Sequence, residues 1–424
     1  MARCLLLAGN TYKKTLSSRH QPTLAGAAEE MKEQKAIIEA FSKTDLASRK
    51  VALATVVKVR GSSYRSPGAR MLITDDGKWV GSISGGCLEG DALRKARRVM
   101  TERLPLTVTY DTSEAGNQNL GISLGCNGVI DVLIEPVNAQ TPHDPVKLFG
   151  RLVSLEEPVA LATVFSNTKH QGEKFLIDAA GQTIVSFPSP ELNELVRPDL
   201  TSVFKTKRSE AKQYTFEGME LEVFVELIQP SISVMIFGGG FDARPLSNLA
   251  KSLGWDVTVT DECVAHIAPV FFPTADKLSL CSREFIDRDF KITPFTACVL
   301  MSHNYEYDRD VLKSILKSPA PYIGILGPRK RFDKMLAEFA TENIRLSSND
   351  LHRIHSPIGL DIGAEAPDEI ALSIVSEIQG KFSNRSGGFL KYRDAPIHRR
   401  DADTDQVFKQ VYLGGELNTK SVNE

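Results

Sequence analysis

The chain has 424 residues, 42% hydrophobic and 25% charged, with a formal charge of -2. That length supports two or three domains, each with its own core, and the near-neutral balance carries no electrostatic footprint for nucleic acid. No apolar run approaches the roughly 20 residues that span a bilayer, so the expectation is a cytoplasmic protein whose partners are proteins or small molecules.

Six cysteines, at 4, 87, 126, 263, 281 and 298, never approach C-x-x-C spacing. Neither a zinc ribbon nor a four-cysteine iron–sulfur cluster is signalled, and reduced thiols are expected. The apolar stretch from Cys4 to Gly9 is shorter than a signal peptide's core. Residues 1–30 read as a disordered, dispensable extension with Met31 as an alternative start, and an amphipathic helix is expected from about Met31.

An internal repeat organises the next stretch. VALATV at 51–56 recurs at 159–164, and MLITDDGKWVGSIS (71–84) aligns with FLIDAAGQTIVSFP (175–188). Each copy predicts a strand, a connection and a hairpin turning at Gly77 or Gly181. Copy one has GSSYRSPGAR before its hairpin and SGGCLEGD after it; copy two has SNTKHQGEK and PSPELNEL. Residues found only in copy one are those a duplicated scaffold does not require, which shifts them toward function. Between the copies a helix over 90–100, a strand at 108–111, a Gly/Asn-rich loop and a strand at 129–137 are expected. An α/β domain thus runs over 31–228.

At Ser231 the character changes. The apolar strand SVMIF (233–237) runs into Gly238-Gly-Gly-Phe-Asp-Ala243, a helix, and a strand ending in Asp261. This fits the G-x-G-x-x-[GA] turn of a Rossmann fold: Gly238 for the tight turn, Gly240 for close approach of a diphosphate, Ala243 for packing. Asp261 stands where a carboxylate meets ribose hydroxyls and repels a 2′-phosphate, so a bound dinucleotide would be NAD. Further strands at 297–302 and 322–327, alternating with helices, predict a parallel sheet over 231–380. Pro367 opens a helix with Ile370, Ile374 and Ile378 on one face. Residues 381–424 are expected to be partly ordered. The Gly238 turn is expected to face a cleft between the two domains.

Three places could carry chemistry. The loop at 61–70 offers the hydroxyls of Ser62 and Ser63 and the guanidinium groups of Arg65 and Arg70 to a phosphate or pterin oxygen, or is a solvated hairpin loop. In ISGGCLEGD, Cys87 lies ahead of a helix whose dipole favours thiolate, a ligand for a soft metal or a sulfur acceptor; the plainer reading is a small buried thiol. Cys126 has the same glycine-flanked setting and could converge with it. His303 follows a strand at the carboxyl edge of the parallel sheet, with Asn304 or Asp308 capping the next helix.

Taken together and in order, GSSYRSPGARM, VGSISGGCLE, LGCNGVIDVLIEP, VMIFGGGFDARPL, SHNYEYD, YIGILGPRKR and SPIGLDIGAEAPDEIALSI resemble the XdhC/CoxI family over roughly 34–380. The resemblance implies a protein that binds molybdenum cofactor (molybdopterin) and protects it during sulfuration by a cysteine desulfurase. It then passes the cofactor to the apoenzyme of a xanthine dehydrogenase-type molybdenum hydroxylase. Such a protein is expected to be a cofactor chaperone, not an enzyme, and a homodimer. Glu89 belongs to the SGGC-x-E motif. Cys126-Asn127-Gly128 replaces the family's Cys-Gly-Gly, and Pro328-Arg329 its Ser-Arg. The rival readings are an NAD-dependent oxidoreductase using the glycine turn and His303, and a purely structural adaptor.

Overall fold

The computed structural model describes residues 25–61, 63–112, 128–138, 144–153, 155–166 and 168–392. The expected extension over 1–30 lies outside these residues up to residue 24, and the tail lies outside them beyond 392.

The repeat is a duplicated sheet. Copy one runs β1 (Val51–Gly61), β2 (Arg70–Thr74), β3 (Trp79–Gly81), α2 (Glu89–Glu102), β4 (Leu106–Asp111) and β5 (Gly128–Pro136). Copy two runs β6 (Val159–Val164), β7 (Lys174–Asp178), β8 (Thr183–Val185), α4 (Pro190–Thr206), β9 (Glu210–Phe216) and β10 (Met219–Ile228). Strand orders are β3-β2-β1-β5-β4 and β8-β7-β6-β10-β9, the same topology twice. The duplication therefore extends past the matching sequence segments to a helix and a closing strand pair, where the two sequences differ.

Alternation along the central strands creates two different faces. Ala52, Ala54, Val56, Ile130, Val132 and Ile134 pack under α2, and the corresponding face of copy two, with Leu221, Val223 and Val225, packs under α4. The opposite faces meet each other. Val57 and Leu133 of the first sheet touch Phe165 and Phe224 of the second. The result is a layered helix–sheet–sheet–helix arrangement whose middle is partly charged. Arg70 makes a bidentate pair with Glu226, at 2.9 and 2.6 Å, and Lys174 pairs with Glu135. Both pairs are buried and each joins β2 or β7 of one copy to the last strand of the other.

Helix α1 (Ala25–Ser42) starts six residues before the expected position at Met31. Met31 is buried against Leu148 and Phe149 of α3 (Pro145–Val153) and Leu161 of copy two, while Ile37 packs on Val51, Leu53 and Leu72 of copy one.

The third sheet is parallel throughout, in the order β13-β12-β11-β14-β15-β16, with β11 (Ser233–Phe237), β12 (Asp256–Asp261), β13 (Lys277–Leu280), β14 (Thr296–Leu300), β15 (Tyr322–Ile325) and β16 (Ile354–His355). In chain order this is 3-2-1-4-5-6, the doubly wound Rossmann arrangement. Between the strands lie α5 (Ala243–Ser252), α6 (Ile286–Asp289), α7 (Tyr305–Ile315), α8 (Arg329–Thr341) and α9 (Ser348–Arg353), and α10 (Pro367–Phe382) follows β16. Helices α5 and α10 cover one face with Leu246, Ala250, Ile374 and Ile378, and α7 and α8 the other with Val311, Leu312, Met335 and Phe339.

The orientation of this sheet corrects the expectation of a glycine turn in an interdomain cleft. Lys32 and Lys35 of α1 bond the Ser252 carbonyl and the Asp256 carboxylate, and Lys291 pairs with Glu156. Asp256 and Lys291 lie at the amino edge of the sheet, so the N-terminal sheets attach there. Gly238 follows β11 at the carboxyl edge, about 16 Å away along a six-residue strand.

Removing one member of a buried pair strands the other charge. We expect Arg70→Met to cost about 3–5 kcal/mol and Arg70→Met with Glu226→Leu to recover most of it, read from denaturant midpoints. A double variant as unstable as the single one would show that the pair does not hold the sheets together.

Candidate functional site

The two copies provide an internal control. Thr55 pairs with Arg70 as Thr163 does with Lys174, and Gly68 N–H donates to the Val56 carbonyl as Gly172 N–H does to Val164, both at 2.8 Å. The same offset equates Glu89 with Asn193: Ile83 N–H donates to Glu89 Oε1 at 3.1 Å, and Phe187 N–H to Asn193 Oδ1 at 2.9 Å.

The copies part immediately after this shared contact. In copy two, Ser189 caps α4, its Oγ accepting from Leu192 N–H at 3.3 Å, and Pro190 opens the helix. In copy one the equivalent residues, Gly85 and Gly86, have φ of +89° and +120°, conformations that only glycine adopts cheaply. Cys87 follows, and α2 starts at Glu89 with no side-chain cap at Leu88. What is a capped first helical turn in copy two is an open loop in copy one.

Glu89 holds that loop. Its Oε1 accepts from Ser82 Oγ (2.8 Å), Ile83 N–H and Ser84 N–H (3.0 Å); its Oε2 accepts from Ser84 Oγ (2.5 Å), Gly86 N–H (2.9 Å) and Leu88 N–H (3.1 Å). Burial raises the carboxyl's pKa, but the Ser84 and Ser82 hydroxyls and the backbone donors outweigh it and hold the value down to about 2. Glu89 is therefore a buried organiser of the loop, and Cys87 is exposed on it just ahead of α2.

The 61–70 loop leans on the same turn. A Cβ at Gly85 would lie 2.8 Å from the ring of Tyr64, which remains 72% exposed. Ser63 is partly buried, its Oγ accepting from Arg65 N–H at 3.3 Å. Arg65, mostly buried, pairs with Glu33 of α1. Arg70 departs furthest from expectation. Its guanidinium is consumed by Glu226 and the Gly68 carbonyl and stacks 4.0 Å from the centre of the Phe149 ring, so it serves the sheet interface and not a ligand. Ser62 and Cys126 lie outside the described residues. Gly128, which opens β5, pairs with Gly61, where the 61–70 loop leaves β1.

At the carboxyl edge of the third sheet, Gly238 has φ +113°, and a Cβ there would stand 2.4 Å from Ser302 Cα, so the tight turn demands glycine. Gly240 is under no such pressure, with His303 Cδ2 3.5 Å from its virtual Cβ. Asp261 corrects the ribose expectation. It is 5% exposed, Oδ2 accepts from Gly239 N–H (2.8 Å) and lies 3.0 Å from His266 Nδ1, and Oδ1 accepts from Cys263 N–H (2.8 Å). Asp261 closes the turn from inside, and the exposed carboxylate on which the NAD expectation rested is absent. His303 is exposed, at φ +60°, with Nε2 3.1 Å from Asp242 Oδ2. Asn304, not Asp308, caps α7; buried Asp308 instead accepts from Ser302 Oγ and from Arg331.

Cys281 and Cys298 are buried, and burial pushes their thiols up to about 11 and about 12, with Asp289 adding to the former. Cys87 and Cys263 are exposed. An open polar groove of about 360 Å³ between the first two sheets, lined by Arg60, Thr109, Asp131, Gln171 and Glu222 among others, contains none of the expected site residues. No group of three or more His, Cys, Asp or Glu side chains suited to a metal ion occurs among the described residues. Tyr64 and Asp242 were not singled out from sequence; the tyrosine sits inside a quoted motif, but only its contact with Gly85 distinguishes it.

Because Glu89's folded pKa lies below the ordinary 4.5, its contribution is complete above that value and lost as pH falls toward about 2. Glu89→Gln should therefore raise amide exchange at Ile83, Ser84, Gly86 and Leu88 at neutral pH, and the parent should show the same loosening on acidification. Unchanged protection in the variant would remove Glu89's organising role.

Known proteins share both halves of this architecture. Residues 46–111 match the XdhC and CoxI family, and residues 234–378 match the XdhC Rossmann domain. A Bacillus subtilis protein described as a probable xanthine dehydrogenase subunit is 30% identical over 77% of this chain and 91% of its own length. The molybdenum cofactor insertion chaperone PaoD of Escherichia coli is 24% identical over 77% of this chain and 81% of its own. A crystal structure of a xanthine dehydrogenase from Bacillus halodurans has a TM-score of 0.66 at 30% identity, covering 86% of this chain and 98% of that one. With the duplicated sheets, the parallel third sheet and these matches in hand, the chain belongs to the XdhC and CoxI family.

Proposed function

We propose that this protein is a molybdenum cofactor insertion accessory for a xanthine dehydrogenase-type enzyme, holding molybdopterin where the 61–70 loop meets the 82–89 turn. The observation that carries the reading is the difference between the copies. The same scaffold closes this turn with a serine cap and a proline in copy two and opens it with two positive-φ glycines and an exposed cysteine in copy one. Opening forgoes a capped helical turn, a loss of about 0.5–2 kcal/mol that the fold has no need to incur. The names of two relatives, one a molybdenum cofactor insertion chaperone and the other a probable xanthine dehydrogenase subunit, support the cargo and the recipient.

In this reading Cys87 supplies a soft thiolate to molybdenum, Ser63 a hydroxyl to the pterin side, and Glu89 keeps the loop open. Ser62, in the sequence of the 61–70 loop, and Cys126, two residues before the Gly128 that pairs with Gly61, are proposed to join them. Cofactor is held while a cysteine desulfurase sulfurates it and is then passed to the apoenzyme, with the protein acting as a cytoplasmic homodimer. The crevice of Gly238, Gly240 and His303 lies at the distant carboxyl edge and has no assigned part. The inward-turned Asp261 counts against an NAD-dependent oxidoreductase, although the strand order and the Gly238 turn are those of a dinucleotide fold.

Cys87→Ser keeps nearly the same volume at an exposed site, so stability should change by less than about 0.5 kcal/mol. We expect molybdopterin retention and reconstitution of a hydroxylase apoenzyme to fall well below the parent in Cys87→Ser and Cys126→Ser. Equal retention and equal reconstitution by folded Cys87→Ser would end the thiolate role.

A further inference from the structure

We propose that Tyr64 is the platform on which the pterin ring of the cargo stacks; the inference rests on the preceding reading and adds the residue that recognises the organic half of the cofactor. The ring is held in place without being buried. One side leans on the backbone of Gly85, where a Cβ would come within 2.8 Å of Cδ1 and 3.0 Å of Cε1, yet the residue stays 72% exposed. The contact with Gly85 fixes the ring while most of its surface stays open to a flat ligand.

The internal control points the same way. Counting back from the equivalent Gly68 and Gly172, Thr168 takes the place of Tyr64, while Ser189 takes that of Gly85. The ring and the gap that receives it are therefore lost together in the copy that closes its turn. The scaffold folds without either, so the pair answers to something outside the scaffold. Cys87 is exposed two residues beyond Gly85 on the same loop, which suits a ligand with a flat heteroaromatic bicycle at one end and a thiophilic centre at the other. Tyrosine offers such a bicycle a rigid face with few rotatable bonds to immobilise.

The test is a fluorescence titration of the full chain with 6-hydroxymethylpterin, which carries the ring system but neither metal nor dithiolene. Molybdopterin content of gently purified protein is measured alongside. Tyr64→Thr, which installs the copy-two residue, should bind the probe about tenfold or more weakly, the effect of losing one stacking contact. Tyr64→Phe should recover most of that loss, because the ring remains. Gly85→Ser should weaken binding with Tyr64 intact, because the added Cβ displaces the ring. Melting temperatures of the Tyr64 variants should match the parent. If the parent retains molybdopterin and Tyr64→Thr binds probe and cofactor equally well, the stacking role is overturned and the chaperone reading stands. If the parent binds neither probe nor cofactor, both are overturned.

Discussion

The first half of the molecule depends on charged pairs set between two sheets, two of them fully buried. Asp131 and Glu135 on β5, and Glu222 and Glu226 on β10, all lie on the facing sides of the sheets; Glu135 and Glu226 are deeply buried, where an unpaired carboxylate would be very costly, while Asp131 and half-buried Glu222 line the open groove. Each is matched: Asp131 by Arg60, Glu135 by Lys174, Glu222 by Lys58 and Glu226 by Arg70. Three of these four pairs cross from one copy to the other. Well-packed apolar residues could hold two sheets together more cheaply, but they would not specify how the sheets register. Crossed ion pairs do, because a sheet displaced along its partner leaves several charges alone at once.

That constraint explains how one copy can be modified without disturbing the other. Strand order, register and covering helix are duplicated, and the departures collect at one end of copy one, beyond the last ladder bonds. There the stretch between Val56 and Gly68 is four residues longer than that between Val164 and Gly172, and the helix start is unwound by three residues relative to α4. Glu89 makes the unwinding tolerable. The amides of Gly86 and Leu88, set free when the helix starts late, find acceptors on its carboxylate, and the serine hydroxyls fill the rest. Asn193 plays a smaller version of the same part in copy two, which suggests that the carboxylate elaborates an existing turn contact.

The parallel sheet shows the opposite relation between motif and use. Its glycine turn has the sequence of a dinucleotide site and the strand order that goes with one. Yet Asp261 is turned inward to hold Gly239, Cys263 and His266, and Asp242 faces His303 instead of capping α5. The carboxylate that would read a ribose has become part of the protein's own scaffold. Attachment of the N-terminal sheets at the amino edge leaves this crevice on the far side, so the candidate cofactor loop and the glycine turn are separate places within one chain.

Much was legible in the residues alone. The repeat could be seen because β1 and β6 carry the same VALATV, and strands buried on both faces tolerate little change. The parallel sheet could be read from apolar strands alternating with helices, and α10 from its isoleucine stripe. Copy-one residues could be separated from scaffold by what copy two lacks. Tertiary structure alone decided which members of those motifs face a ligand. Arg70 and Asp261 looked like ligand groups because their types fit, but whether a charged side chain meets a ligand or another chain segment depends on partners 156 and 22 residues away in sequence, Glu226 and Gly239. Tyr64 was hidden for the same reason. Its significance lies in the missing Cβ of a glycine across a loop, and no local pattern records which glycine a ring will lean on.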